Sequence, residues 1–285
     1  MHNAPVTLIT GASSGIGRVT ALALARAGHR MVLAGRGERK HQPVLEEIAA
    51  LPGAPEARWL PLDLGDLASV AACVKVFEAL GWPLHTLILN AGLAGQRGRS
   101  ASGFEMAFGV NHLGHFALTQ ALLPCLQASA PARVITVASK MHFRAKGLDW
   151  DALQRPTASL TGVPEYNASK LANVLFATEL ARRLAGTGVE SYVVHPGIVA
   201  TEVWRHVPAL ARPLLKLMLN MITPEEGARS TLKCALSPSA ELQAGGYYDR
   251  ARLRSISPVA QDLALAQDLW QHSERWVAKA TGQPH

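Results

Sequence analysis

The sequence predicts an α/β fold, a doubly wound parallel sheet with helices on both faces. Short β-rich runs alternate with helical stretches, a glycine-rich turn joins the first run to the first helix, and the residues able to carry chemistry fall just after predicted strands or on adjoining helices. Such alternation implies parallel pairing through right-handed crossovers. Ligands of these sheets bind beyond the carboxyl ends of the strands, where the candidate residues gather. The chain has 285 residues, 48% apolar and 17% charged, with neither a linker-like shift of composition nor an internal repeat. A chain of that length buries roughly three quarters of its unfolded surface, and positions 1–285 read as one domain.

Pro5 to Thr10 is an apolar strand, followed by the turn Thr10-Gly11-Ala12-Ser13-Ser14-Gly15-Ile16-Gly17 and a helix from about Ile16 to Ala27, with Gly28 placed to end it. A second strand, Arg30 to Ala34, leads into Gly35-Arg36-Gly37. Helix, strand (Arg58 to Leu62), helix (Ala68 to Leu80) and strand (Thr86 to Leu89) follow. A helix from about Asn111 to Gln127, the strand Arg133 to Val137, the long helix Tyr166 to Leu184 and the strand Glu190 to Val194 continue the pattern. Trp270 and Trp276 fit a terminal helix packed against the body or a neighbouring subunit.

Composition excludes several classes. Cys73, Cys125 and Cys234 are odd in number, widely spaced and set in apolar helical pattern, which predicts reduced thiols packed in the core. The net charge of +7 and pI near 9.6 come from scattered basic residues with no aromatic-interleaved stripe, which argues against a nucleic-acid partner. An anionic cofactor accounts for a local part of that charge. The amino-terminal residues show no cationic start and cleavage site, and no apolar run approaches the roughly 20 residues of a spanning helix. The expectation is a soluble, cytoplasmic protein.

Gly11 follows the first strand, and Gly15 and Gly17 open the first helix around Ser13, Ser14 and Ile16, so backbone amides and the helix's positive end can face a pyrophosphate. Their spacing is G-x-x-x-G-x-G, not the common G-x-G-x-x-G, and a tight ligand-free turn is the alternative for the glycines alone. At the tip of the second strand an acidic residue would meet a free ribose 2′-hydroxyl, whereas a 2′-phosphate calls for arginine. The chain offers Arg36, with Arg39 and Lys40 behind it and Arg18 adding to the field, so NADP(H) is favoured over NAD. Asp63 can accept from an adenine amino group, and Asn90-Ala91-Gly92 is small enough to pass close to the adenosine half. Downstream, Tyr166 and Lys170 stand four residues apart on one helix face. A nearby ammonium favours a phenolate, which predicts a Tyr166 pKa drawn down from about 10 and a general acid or base for a carbonyl/alcohol couple.

In this order the motifs resemble the short-chain dehydrogenases/reductases over nearly the full length. Thr10 to Gly17 resembles that family's cofactor turn, Asp63-Leu64 its adenine contact, Asn90-Ala91-Gly92 its strand-four motif and Tyr166 to Lys170 its Y-x-x-x-K. Asn111 and Ser139 match the other two members of its catalytic tetrad, and Pro196-Gly197 with Val199 and Thr201 its nicotinamide segment. The resemblance implies a single Rossmann domain without a metal. It also implies that Ser139 holds the substrate oxygen, Tyr166 exchanges its proton, Lys170 binds the ribose and lowers the Tyr166 pKa, and Asn111 supports a relay water. Taken alone, Ser139 reads equally as a turn cap and Asn111 as a helix N-cap. His112 and His115 lack the companions of a metal site, and His195 reads as structural.

Leu89 and Ala138 depart from the family's usual asparagine and serine, and the stretch from Ser139 to Tyr166 is longer than in its simplest members. That extra segment, with His142, Phe143, Leu148, Asp149 and Trp150, is expected to border the active-site mouth. Together with Ser169 to Asn173 and Thr223-Pro224-Glu225-Glu226-Gly227-Ala228, it resembles the retinol dehydrogenase and WW-domain oxidoreductase branch, without the WW domain or amino-terminal anchor. The region 201–223, with Val203-Trp204, Met218 and Met221, is expected to form an apolar lid suited to a small hydrophobic carbonyl or alcohol substrate. Readings as a helix over the core or as a membrane-surface face stay open for it. Family members are commonly homodimers or homotetramers, which fixes no interface. The competing function is a catalytically silent NADP-binding sensor or interaction protein.

Overall fold

The computed structural model describes residues 4–197 and 222–282. The expected lid, apart from Ile222 and Thr223, lies outside them, as do Val199 and Thr201. The described chain runs β1 (Val6–Thr10), α1 (Gly15–Arg26), β2 (Arg30–Gly35), α2 (Glu38–Ala49), β3 (Ala57–Pro61), α3 (Leu67–Ala79), β4 (Thr86–Leu89), α4 (Gly114–Ala128), β5 (Ala132–Val137), α5 (Val163–Arg183), β6 (Val189–His195), α6 (Pro224–Leu236), β7 (Tyr247–Asp249), β8 (Arg252–Arg254) and α7 (Leu263–Thr281). The strands form one sheet in the order β3-β2-β1-β4-β5-β6-β7-β8, parallel throughout except for the β7–β8 pair.

Side-chain alternation in the strands feeds two cores. Val6 and Leu8 of β1 and Val32 and Ala34 of β2 face α3, α4, α5 and α7. Ile9, Met31 and Leu33 face α1, α2 and α6. A strand apolar on both sides needs cover on both sides, which is the physical content of double winding. Each large apolar side chain sealed this way contributes about 1.5–3 kcal/mol. The strand order reverses between β1 and β4, and the loops after both strands open into one crevice.

Several expectations are refined. Asn111 is not the N-cap of α4. A helical turn at Met106–Phe108 and a wider π-type turn at Gly109–Leu113 precede that helix, and the Glu105 carboxylate takes the capping bond from the Phe108 amide at 2.8 Å. The Thr223-to-Glu226 segment forms a capping box at the start of α6. The extra segment after Ser139 does not simply line the mouth. His142 is fully buried, Trp150 stacks on His272 of α7 at 4.4 Å, and Asp149 caps the turn at Asp151 and Ala152, leaving Phe143 exposed. Trp150 is thus used against α7 and His142 against β7.

The last strands escape the alternation pattern. Arg250 and Ala251 turn the chain from β7 into β8 with φ of 49° and 58°, a two-residue hairpin turn that Asn-Gly adopts more cheaply. The Ala251 amide donates to the Ser230 hydroxyl at 2.9 Å, which ties the turn to α6.

Trp270 and Trp276 pack within the chain. The Trp270 ring lies 5.1 Å from Phe116 and 5.9 Å from Phe176, the Arg183 guanidinium sits 4.2 Å from its centre, and its indole N–H donates to Glu274 at 2.6 Å. Trp276 meets Phe104 and Phe108. All three cysteines are free, with burial pushing the Cys73 thiol up to about 11 and Cys234 up to about 12. Replacing Trp270 by alanine is expected to cost about 3–5 kcal/mol, read as a lower urea midpoint for unfolding.

Candidate functional site

The crevice is built where β1, β4 and β5 end. Gly11 adopts φ 70°, and a Cβ there would lie 2.9 Å from the Ala91 Cα, so the turn after β1 lies against the loop after β4. A Cβ on Gly17 would collide with the Gly11 carbonyl and the Asn90 amide. The Asn90 side chain donates to the Thr10 carbonyl at 2.9 Å and the Gly11 carbonyl at 3.2 Å. The Thr10 hydroxyl accepts from the Asn90 and Ala91 amides, both at 3.0 Å. No acidic side chain stands in the first turn of α1 and Ser14 makes no capping bond, which leaves the positive helix end open beside Ser13 and Ile16.

Arg36 and Arg39 are exposed at the tip of β2. A buried histidine, unremarked in the sequence, shapes this tip: the His41 ring packs under Gly35 and its Nδ1–H donates to the Gly37 carbonyl at 2.8 Å. Arg18 is committed elsewhere, bonded to the Glu47 carboxylate of α2, so it adds no free charge to the field. Asp63 accepts the Gly65 amide on one oxygen at 2.9 Å, and Leu64 is buried under α4. Pro196 and Gly197 follow β6 at the same end of the sheet.

Asn111, Ser139, Tyr166 and Lys170 converge beyond Gly92. The Asn111 side-chain oxygen accepts the Leu93 amide at 2.8 Å, and its nitrogen donates to the Leu93 carbonyl and the Ser169 hydroxyl, each at 3.0 Å. Ser169 in turn donates to the Tyr166 carbonyl. The Lys170 ammonium is buried, donates to the Val137 carbonyl at 3.0 Å, and would stand 3.5 Å from a Cβ on Gly92. The Ser139 hydroxyl accepts the Met141 amide at 3.2 Å, so the cap reading holds beside the chemical one.

The electrostatics correct one expectation. Burial pushes the half-buried Tyr166 phenol up, opposed by the neighbouring Ser139 hydroxyl, while the Lys170 ammonium lies 5.7 Å from the ring centre and is turned to a carbonyl. The resting phenol is therefore protonated at neutral pH.

His112, His115 and His195 are neutral buried groups. Burial lowers His112 to about 3 and His115 to about 4. His112 packs among Phe108, Phe116 and Phe176 and bonds Ser273 of α7 at 3.1 Å. His115 donates from Nδ1 to the Asn111 carbonyl at 3.0 Å, and its Nε2 accepts the Thr10 hydroxyl at 2.9 Å. Burial also lowers His195, to about 4, against the opposing pull of Asp249.

Burial lowers Lys170 from 10.5 to about 8. The folded chain releases this proton at lower pH than the unfolded chain, so the buried charge penalises folding fully below about pH 8 and not at all above about 10.5. Asn173 also donates to the Val137 carbonyl, at 3.2 Å, and keeps it satisfied without the ammonium. Lys170→Met is expected to be more stable than the wild type at pH 7, on the order of 3 kcal/mol. That advantage should fade as pH rises through the interval, as urea unfolding of both proteins will report.

The short chain dehydrogenase family model matches residues 5–149 and 154–210. The chain is 41% identical to human dehydrogenase/reductase SDR family member 13 over 280 residues, 97% of this chain and 74% of that one. It is 40% identical to human retinol dehydrogenase 11 over 269 residues, covering 94% and 84% of the two chains. The Pseudomonas aeruginosa RhlG/NADP active-site complex superposes with a TM-score of 0.68 at 25% identity, covering 87% of this chain and 95% of that one. The glycine turn, the Asn-Ala-Gly loop and the tyrosine-lysine pair stand on a fold these relatives share, and this chain belongs to the short chain dehydrogenase family.

Proposed function

We propose that the chain is an NADP(H)-dependent oxidoreductase that interconverts a hydrophobic alcohol with its ketone or aldehyde, with Tyr166 as acid and base. The observation that carries this reading is the convergence of a half-buried phenol, the Ser139 hydroxyl and a buried ammonium at the mouth of a glycine-lined crevice. The names of the retinol dehydrogenase relatives support an apolar alcohol, and the NADP bound to RhlG supports the phosphorylated cofactor. Among the described residues no helix is long and apolar enough to cross a membrane. Three free thiols, two of them buried, support a reducing compartment such as the cytoplasm.

The groups that line the crevice suit a nicotinamide dinucleotide. The open end of α1 with Gly11, Ser13, Ser14, Gly15 and Ile16 would take the pyrophosphate, and exposed Arg36 and Arg39 the 2′-phosphate. Asp63, Leu64 and Asn90-Ala91-Gly92 would border the adenosine, and Pro196-Gly197 the nicotinamide, with Val199 and Thr201 completing that segment. When bound, the cofactor supplies or accepts the hydride.

The protein's own groups handle the proton. Ser139 Oγ accepts from Met141, which leaves its hydrogen to donate to the substrate oxygen. Tyr166, resting protonated, gives its proton to that oxygen in reduction and must first lose it in oxidation. Lys170 spends one N–H on Val137 and keeps the other donors of its ammonium for the ribose hydroxyls. The Asn111 side chain, bonded to Leu93 and Ser169, would hold the Gly92 loop and the Tyr166 turn in place, beside the support of a relay water that the family resemblance implies.

Mixing the protein and NADPH with a panel of lipophilic aldehydes and ketones should give loss of nicotinamide absorbance. Tyr166→Phe is expected to lower kcat by about 10²-fold or more and leave NADPH affinity mostly intact; a variant that turns over normally removes the proposed acid. Arg36→Asp should weaken NADPH far more than NADH in fluorescence titrations, and unchanged discrimination would assign the phosphate to another group.

A further inference from the structure

The backbone that carries Ser139 is held at every step. The Val137 carbonyl takes bonds from Lys170 and Asn173, and the Ala138 amide donates to the Val194 carbonyl at 2.8 Å. At Ser139 the carbonyl accepts twice from one residue, the backbone amide of His142 at 3.2 Å and its Nδ1–H at 2.7 Å. The His142 ring is fully buried, edge-on to Tyr247 at 5.1 Å. Its other nitrogen, Nε2, accepts the Ser257 amide at 3.2 Å, and Ser257 caps the turn at Pro258–Gln261 that leads into α7. A carbonyl can only accept and an amide can only donate, so these partners fix a single neutral tautomer, protonated on Nδ1.

We propose that His142 is a positioning residue for the Ser139 hydroxyl, clamping the Ser139 carbonyl through Nδ1–H while Nε2 holds the Ser257 amide, so that one ring locks the substrate-facing turn to the root of the carboxyl-terminal helix. The inference rests on the role proposed above for Ser139. The hydroxyl accepts from Met141, inside the turn that the His142 clamp closes, and its direction follows the peptide plane that the clamp fixes. Without Nδ1–H the carbonyl keeps only the longer amide bond, and the ring's span to Ser257 is lost. A nearby ion pair, Lys140 to Asp249 at 3.0 Å, fastens the exposed side of the same turn independently of the ring.

The test compares the wild type with His142→Ala, His142→Asn and His142→Gln. Asparagine places an N–H where Nδ1 stands, and glutamine reaches the Nε2 position instead. His142→Ala is expected to lower kcat by about tenfold or more while the Kd for NADPH stays within about twofold, and asparagine should restore most of the loss where glutamine does not. An alanine variant with wild-type kcat overturns the proposal, as does rescue by glutamine alone or an equal loss of turnover and NADPH affinity in all three variants. Nitrogen-15 spectra of the wild-type imidazole give a readout free of turnover: an Nδ1-protonated neutral ring is expected at pH 7, and an Nε2-protonated or cationic ring rejects the clamp. Ser139→Ala with undiminished turnover would strike the proposed function itself, a result separate from any of these.

Discussion

A buried ammonium organises the crevice. Lys170 has its charge withdrawn from water and anchored on the Val137 carbonyl, at the point where β5 gives way to the Ser139 turn. An isolated buried charge is costly, and this one persists because a carbonyl meets it and because Gly92 leaves room beside it. The surroundings are consistent with that constraint: α5 has to enter at a fixed depth to deliver the lysine, and the same helix then delivers Tyr166 one turn earlier and Ser169 to Asn111. A costly buried ammonium with N–H donors to spare is poised to take further hydrogen-bond acceptors.

Around that centre the protein uses buried imidazoles as rigid braces. His115 joins the Asn111 carbonyl to the Thr10 hydroxyl, which itself receives the Asn90 and Ala91 amides, so the ends of β1 and β4 and the turn before α4 share one network. His41 supports the β2 tip and His112 ties α4 to α7. Each ring has an apolar body that fills space and at least one nitrogen bonded to a polar group of the fold, a combination that no aliphatic side chain offers.

Much of this was legible in the chain. Strand-helix alternation located β1 to β6 because most of these strands are short runs rich in buried apolar residues, and the glycine turn and Tyr166-Lys170 pair fell at their ends because crossovers bring those ends together. What could not be read has physical causes. β7 is three residues long and β8 alternates arginine with leucine on a solvent edge, and their turn uses Arg250-Ala251 where a glycine or asparagine would have announced it. The phenol's upward displacement was missed because spacing gives proximity to Lys170 but not burial or the direction in which the ammonium points. His142 looked like a mouth residue for a similar reason: nothing in a local pattern reveals that its partner is Ser257, 115 positions away.

β8 has a further consequence. An unpaired strand edge is a template for another chain's backbone, and among the described residues this sheet finishes on a strand of only three residues whose arginines, Arg252 and Arg254, flank a single leucine. A second copy approaching in register would bring like charges together on both sides of that leucine and find few free amides to pair with. Charges so placed disfavour edge-to-edge pairing of the sheet, a use of basic residues that has nothing to do with binding an anion.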